Sequence, residues 1–426
     1  MLPEDPRARA RRDRWLTLLF GVLAIVLVAR AAQKGGGVLR RNQQWGARFL
    51  AHEDPYYDPA HAQREHGPYP PSMAWVAAPL AALPMLPARI LWAGLQVGAL
   101  VLLLRMLRRR TRELWPALEP HVPALYGLAL LLVSRFLLRD TAGGGGNLVY
   151  AALALGSVEL ALRGREGLAG WPLALSLVLK PNLAPFLLFL GLRRRWRAVA
   201  STLGAAALLY VLPGLYYGPE AYARLSLRWA RDVLHFVELD ELHSSALVPD
   251  GLPPAEDGMN QDLREAVYRL FRPPGDSGAH DVHVIELSPE AAGWIAHALE
   301  LVLVLAAAAT AWRARGERAE WLSALLFFPL ALLCSPITWK AHHVVLLPVF
   351  HALLCRAFEP GRRARWLQLG LLGYWLVCDL LSKEIVGDAL RDWLQAASVV
   401  TWADIALMVV LIALARERLG PERVSA

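Results

Sequence analysis

The sequence predicts an all-α polytopic membrane protein, with about 12 transmembrane helices and two long extracytoplasmic loops. Three observations carry this. Apolar residues make up 56% of the 426 residues, and the mean hydropathy is +0.34. They gather in blocks almost free of charge, at 97–104, 125–133, 199–212 and 299–311. Arginines cluster at the ends of such blocks, at 7–14, 105–112, 193–197, 313–318, 362–365 and 416–423. In water these blocks would demand an improbably large core; in lipid they bury themselves. The arginine pattern is the positive-inside signal, so the formal charge of +8 reflects loop asymmetry, and no nucleic-acid partner is expected.

Placing each arginine cluster in the cytoplasm threads the chain as one transmembrane domain, 1–426, with both termini inside. Span one covers 15–32. It follows a basic start like a signal peptide, but no small-residue cleavage site follows, so it reads as uncleaved. Residues 33–85 form the first outer loop, with 73–86 expected along the membrane surface. Span two (88–107) returns to the cytoplasm. Spans three (121–138) and four (147–162) enclose an outer turn. Residues 168–192 begin and end beside cytoplasmic arginines and read as a hairpin of two short helices turning at Lys180-Pro181-Asn182. Span seven (198–216) leads to the second outer loop, 218–290, which holds fourteen acidic residues and six arginines. Spans eight (291–312), nine (321–336), ten (343–357), eleven (366–382) and twelve (397–415) follow. The three cysteines, Cys334, Cys355 and Cys378, have no metal-ligand spacing and read as buried packing residues.

Five polar constellations fall on the outer side. In loop one, His52-Glu53-Asp54-Pro55-Tyr56-Tyr57-Asp58 precedes His66-Gly67-Pro68-Tyr69-Pro70-Pro71. A carboxylate at the lipid–water boundary would suit a general base on a substrate hydroxyl, and a proline-set solvated loop would look the same. Arg139-Asp140-Thr141-Ala142 is followed by four glycines and Asn147, which allow close backbone approach to a ligand; Asn147 equally suits a helix cap. Lys180 is one of only four lysines, and at about 2.5–3.5 kcal/mol on insertion scales it needs water or an anion; phosphate is the natural one. Asn260-Gln261-Asp262 opens a helical pattern, which Asp262 would cap. Ser335-Pro336-Ile337-Thr338-Trp339-Lys340-Ala341-His342-His343 combines imidazoles, a lysine and a tryptophan suited to a sugar phosphate at the interface. Neighbouring histidines on a helix point about 100° apart, which argues against a shared metal. Glu159, Glu300, Asp379 and Asp404 fall within spans and read as interhelical bonding groups, scattered too widely for a relay.

Taken in order, these segments resemble glycosyltransferase family 87, GT-C membrane mannosyltransferases that use polyprenyl-phosphate-mannose. The resemblance rests on Gly67-Pro68-Tyr69-Pro70-Pro71 with Ala78-Pro79-Leu80 and Leu83-Pro84. It continues through 147–197 with Leu179-Lys180-Pro181, through Asn260-Gln261, and through Ser335-Pro336-Ile337-Thr338-Trp339 with His342-His343. It implies a GT-C-like fold. It also implies transfer of a hexose, with mannose as the expected sugar, from a polyprenyl-phosphate-linked donor to an acceptor hydroxyl on a glycan or glycolipid, at the extracytoplasmic face of a bacterial plasma membrane. No cofactor or metal is expected. The candidate catalytic carboxylates are Asp58, Asp54 and Glu53. The candidate substrate-binding residues are Lys180, His342, His343, Trp339, Tyr69, Asn147, Asn260 and Gln261. Two departures stand out. Gly145-Gly146 replaces the family's glycine-glutamine before Asn147. No acid lies between Gln33 and His52, where the family's catalytic carboxylate is expected. A transporter or flippase of lipid-linked sugars, or a non-catalytic relative, is the alternative.

Overall fold

The computed structural model describes residues 6–34, 37–58, 63–64, 69–235, 260–272, 280–361 and 364–417. Among these the chain is a helical bundle whose one sheet is a minimal two-stranded hairpin, β1 (Tyr57–Asp58) and β2 (Gln63–Arg64), paired antiparallel with Tyr57 opposite Arg64.

Every expected span is occupied by helix, but many are short or broken. In chain order the helices are α1 (Pro6–Gln33), α2 (Gly37–Leu50), α3 (Pro71–Ala81), α4 (Met85–Leu114), α5 (Val122–Leu132), α6 (Ser134–Gly143), α7 (Asn147–Leu162), α8 (Glu166–Leu179), α9 (Pro185–Leu192) and α10 (Trp196–Tyr217). They continue with α11 (Pro219–His235), α12 (Leu263–Phe271), α13 (Pro289–Arg313), α14 (Glu317–Leu325), α15 (Phe327–Leu333), α16 (Leu347–Ala357), α17 (Arg365–Tyr374), α18 (Lys383–Ala396) and α19 (Val399–Arg416). Four of the described helices, α4, α10, α13 and α19, are long and apolar enough to cross a bilayer alone. Two bent pairs raise this to six: 18–33 with α2, bent by 64°, and 116–132 with α6, bent by 67°. The interruptions are local: Pro181–Leu183 turns the hairpin where the sequence placed its turn, and Lys340–Leu346 winds tightly before α16. Helix ends within such a bundle need partners for their orphan backbone groups, and those partners are where the polar residues go.

Three packing features hold the bundle around the site. Helix α3 packs one face inward: Pro71, Ser72, Met73, Ala74, Ala77, Ala78 and Leu80 are buried, and Ser72 Oγ donates to the Val178 carbonyl of α8. Helices α8 and α10 touch at Gly170, where a Cβ would overlap the Thr202 amide nitrogen and the Ser201 backbone. This is the close approach that small residues allow between membrane helices. The intramembrane acids are engaged between elements. Glu159 meets Arg110 and Arg163, the latter at 2.9 Å. Glu300 meets Arg264 at 3.1 Å, Asp379 accepts from Ser134 Oγ and the Arg135 amide, and Asp404 lies 2.9 Å from His343 Nε2.

Candidate active site

The site forms where the C-terminal ends of α6 and α8, the N-terminal end of α7 and the 340–346 turn converge. Asp140, in the last turns of α6, is fully buried. Its Oδ1 accepts from Asn147 Nδ2 at 2.6 Å, and its Oδ2 faces the Leu148 amide at 3.4 Å, at the N-terminus of α7 where an anion is favoured. The intervening glycines make this approach possible. Gly144 and Gly146 take left-handed φ values of 77° and 74°, and a Cβ at Gly145 would overlap the Asp140 carboxylate. A carboxylate can only accept, so it turns the Asn147 amide to present Oδ1 to the other side. There Lys180 Nζ donates to it at 2.9 Å. Asn147 is therefore not a cap of α7; its amide bridges Asp140 and Lys180.

Lys180 sits in an extended conformation between α8 and the 181–183 turn, so its side chain leaves the hairpin instead of following a helix face. Nζ is also 2.9 Å from His342 Nε2, and it lies 5.7 Å from the ring centroid of Tyr69. His342 Nδ1 accepts from the Trp339 amide at 3.2 Å, and the Trp339 indole lies parallel to the imidazole at 6.3 Å. Lys180 and His342 are buried, whereas Trp339 is partly exposed. The sequence-derived residues Tyr69, Asn147, Lys180, His342 and Trp339 thus meet in one cluster. Asp140 completes it. The signal for Asp140 was an acid seven residues before Asn147 across a glycine run.

The other candidates lie elsewhere. His343 turns away from the cluster, with Nε2 at Asp404 and its ring 5.2 Å from Phe136. Asn260 and Gln261 hold the 260–272 segment onto the 335–339 segment. Asn260 Oδ1 accepts from the Thr338 amide at 2.8 Å, its Nδ2 donates to the Pro336 carbonyl, and the Gln261 amide donates to the Thr338 carbonyl at 2.6 Å. Gln261 Nε2 donates to the Gln395 carbonyl, Thr401 Oγ1 donates to the Gln261 carbonyl, and Lys340 Nζ donates to Gln395 Oε1 at 2.7 Å. Asp262 caps α12 through the Glu265 amide, as its position suggested. Burial, together with the charge of Glu265, pushes the Asp262 carboxyl well above the usual carboxylate range.

Glu53 and Asp54 stand on an aromatic rim. The Glu53 carbonyl accepts from Tyr217 Oη, Asp54 pairs with Arg228 at 3.2 Å and accepts from the Tyr56 amide, and Phe49 stacks on Tyr217 at 4.7 Å. Tyr56 Oη donates to the Tyr69 carbonyl at 2.7 Å, and Trp45 packs edge-on against Tyr56 and Tyr69. This rim therefore abuts the cluster through Tyr69. The side chain of Asp58 lies outside the described residues. Among the described residues no group of three or more histidines, cysteines and acids could hold a metal ion.

The profile of glycosyltransferase family 87 matches residues 68–336, a stretch that includes Tyr69, Asp140, Asn147, Lys180 and Asn260-Gln261. The chain is also similar to the polyprenol-phosphate-mannose-dependent alpha-(1-2)-phosphatidylinositol pentamannoside mannosyltransferase of Mycolicibacterium smegmatis, with 28% identity over 355 residues, covering 81% of this chain and 74% of that one. With a family match over more than half its length and a helical, apolar architecture, the chain belongs to glycosyltransferase family 87 and is a membrane glycosyltransferase.

Proposed function

We propose that this protein transfers mannose from a polyprenyl-phosphate-mannose donor to a hydroxyl of a glycolipid, at the extracytoplasmic face of a bacterial plasma membrane. The observation that carries this reading is the cluster of buried Asn147, Lys180 and His342 with half-buried Tyr69, beside the partly exposed Trp339. A buried lysine facing amide and imidazole groups is costly unless an anion or a proton is exchanged there; the donor phosphate offers the anion and the acceptor hydroxyl the proton. The indole of Trp339 and the ring of Tyr69 would flank the sugar or the first prenyl unit. Preorganised donors around the linkage stabilise charge as the phosphate leaves. The donor and the kind of acceptor are suggested by the name of the mycobacterial relative.

The arginine asymmetry supports cytoplasmic placement of both termini and an extracytoplasmic site, in a chain read as one domain. Glu53 and Asp54 on the abutting rim, with Asp58 of the same loop, are the carboxylates that would meet the acceptor hydroxyl, to activate or to orient it. Asn260 and Gln261 act by holding Trp339 and His342 in place through Thr338; His343 secures the same turn from behind. The test is transfer of radiolabelled mannose in proteoliposomes, from polyprenyl-phosphate-mannose against polyprenyl-phosphate-glucose and a nucleotide-mannose. The expected result is transfer from the first alone, abolished by His342→Ala. Label moved across the vesicle membrane without transfer would instead establish a flippase.

A further inference from the structure

The hydrogen bonds around His342 fix more than its position. Its Nδ1 accepts from the Trp339 amide, a donor that closes the start of the 340–346 turn. A neutral imidazole that accepts at Nδ1 carries its proton on Nε2. That Nε2 faces Lys180 Nζ at 2.9 Å, while Nζ already donates to Asn147 Oδ1. An ammonium there would point a hydrogen at the Nε2 hydrogen; an amine offers a lone pair. We propose that Lys180 and His342 form an uncharged pair at rest, with room for one proton, and that Lys180 is the proton acceptor in sugar transfer. This rests on the reaction proposed above: outer loop one has no acid between Gln33 and His52, and Lys180 takes the proton-accepting role in place of Glu53, Asp54 and Asp58.

The step balances. The acceptor oxygen bonds to the anomeric carbon, and the bond from that carbon to the phosphate oxygen breaks with its electron pair leaving on the phosphate. The hydroxyl proton passes to Lys180 Nζ. The ammonium forms as the phosphate gains its second negative charge, and product release returns the proton to solvent. The groups facing Lys180 suit this role. Asp140 from α6 acts on it across the Asn147 amide and stabilises the ammonium once formed. Tyr69 presents its ring, and Tyr150 of α7, Arg41 of α2 and His343 act on the cluster from further out. The Ile337 carbonyl also lies beside the imidazole. A proton directed there from Nδ1 would leave Lys180 an ammonium at rest, and this is the outcome that overturns the proposal.

The chain's four lysines make the charge state measurable. In protein labelled at lysine Nζ with nitrogen-15 and held in nanodiscs, Lys180→Arg identifies the Lys180 signal by its loss. The expected signal at neutral pH is that of an amine, moving to the ammonium position as pH falls; an ammonium at neutral pH refutes the pair. For catalysis, the guanidinium of Lys180→Arg stays charged and cannot accept a proton. Its transfer rate is expected to fall by about 100-fold or more. A Lys180→Arg protein that transfers within about threefold of wild type refutes the catalytic role. If wild-type protein transfers no mannose at all, the donor assignment fails, while the nitrogen-15 signal still decides the charge state.

Discussion

Gly145→Ala isolates the part played by Asp140. The backbone at Gly145 is not in the left-handed region, unlike its neighbours Gly144 and Gly146, so alanine meets no backbone strain there. The obstacle is steric: the new methyl would overlap Asp140 Oδ1 and crowd Asn147 Nδ2 at 3.1 Å. The carboxylate is fully buried and must swing off Asn147, losing a charge-assisted bond of 2.6 Å. Such a bond contributes about 1.5–3 kcal/mol, and a freed Asn147 amide no longer holds its oxygen toward Lys180. If that loss falls on the transition state, transfer slows by about 10- to 100-fold. The assay is mannosyl transfer by Gly145→Ala, Asp140→Ala and the double variant, with thermal unfolding as the control for folding. In the Asp140→Ala background the methyl finds empty space, so the second substitution should add almost nothing. Equal, additive losses in both backgrounds would refute the argument that Gly145 acts through Asp140.

Three further outcomes are expected. Asn260→Ala leaves the buried Thr338 amide without its acceptor, so the segment carrying Trp339 loosens at a cost of about 1–3 kcal/mol, read as a fall in kcat and in Tm, with Asn260→Asp recovering part of both. Asp404→Leu alone strands His343 in the bundle core, costing about 3–5 kcal/mol by thermal unfolding, and His343→Leu/Asp404→Leu together should recover most of it. The raised Asp262 carboxyl favours docking of the second outer loop while protonated. That contribution is present below the ordinary carboxylate range and fades as pH rises through its elevated folded value. Hydrogen exchange over 260–272 should therefore quicken with rising pH beyond its intrinsic increase in wild type, and lose that excess in Asp262→Asn.

The membrane class and the helical segments were legible because bulk hydrophobicity and arginine placement are local signals. Lys180 was also legible, since a lone lysine between apolar helices is expensive and its neighbours in sequence offer no water. The bends were not: how far a helix turns at an interruption is set by its packing partners, as at the 67° break between 116–132 and α6. The site's second half was hidden by distance along the chain. Asp140 reaches Lys180 only through an amide, Asn260 finds Thr338 seventy-eight residues away, and His343 meets Asp404 on α19. Residue type marked Asn260 and Gln261 as polar and conspicuous, but only the fold shows their amides spent on a neighbouring loop instead of facing the cluster.

The most direct measurement is an experimental structure of the protein in nanodiscs with polyprenyl-phosphate-mannose, or its non-hydrolysable analogue, bound. The account predicts the sugar–phosphate linkage within hydrogen-bond distance, about 2.7–2.9 Å, of Lys180 or His342, with Trp339 and Tyr69 against the sugar or the first prenyl unit. A linkage bound elsewhere, with the Asp140–Asn147–Lys180–His342 chain undisturbed, would contradict it.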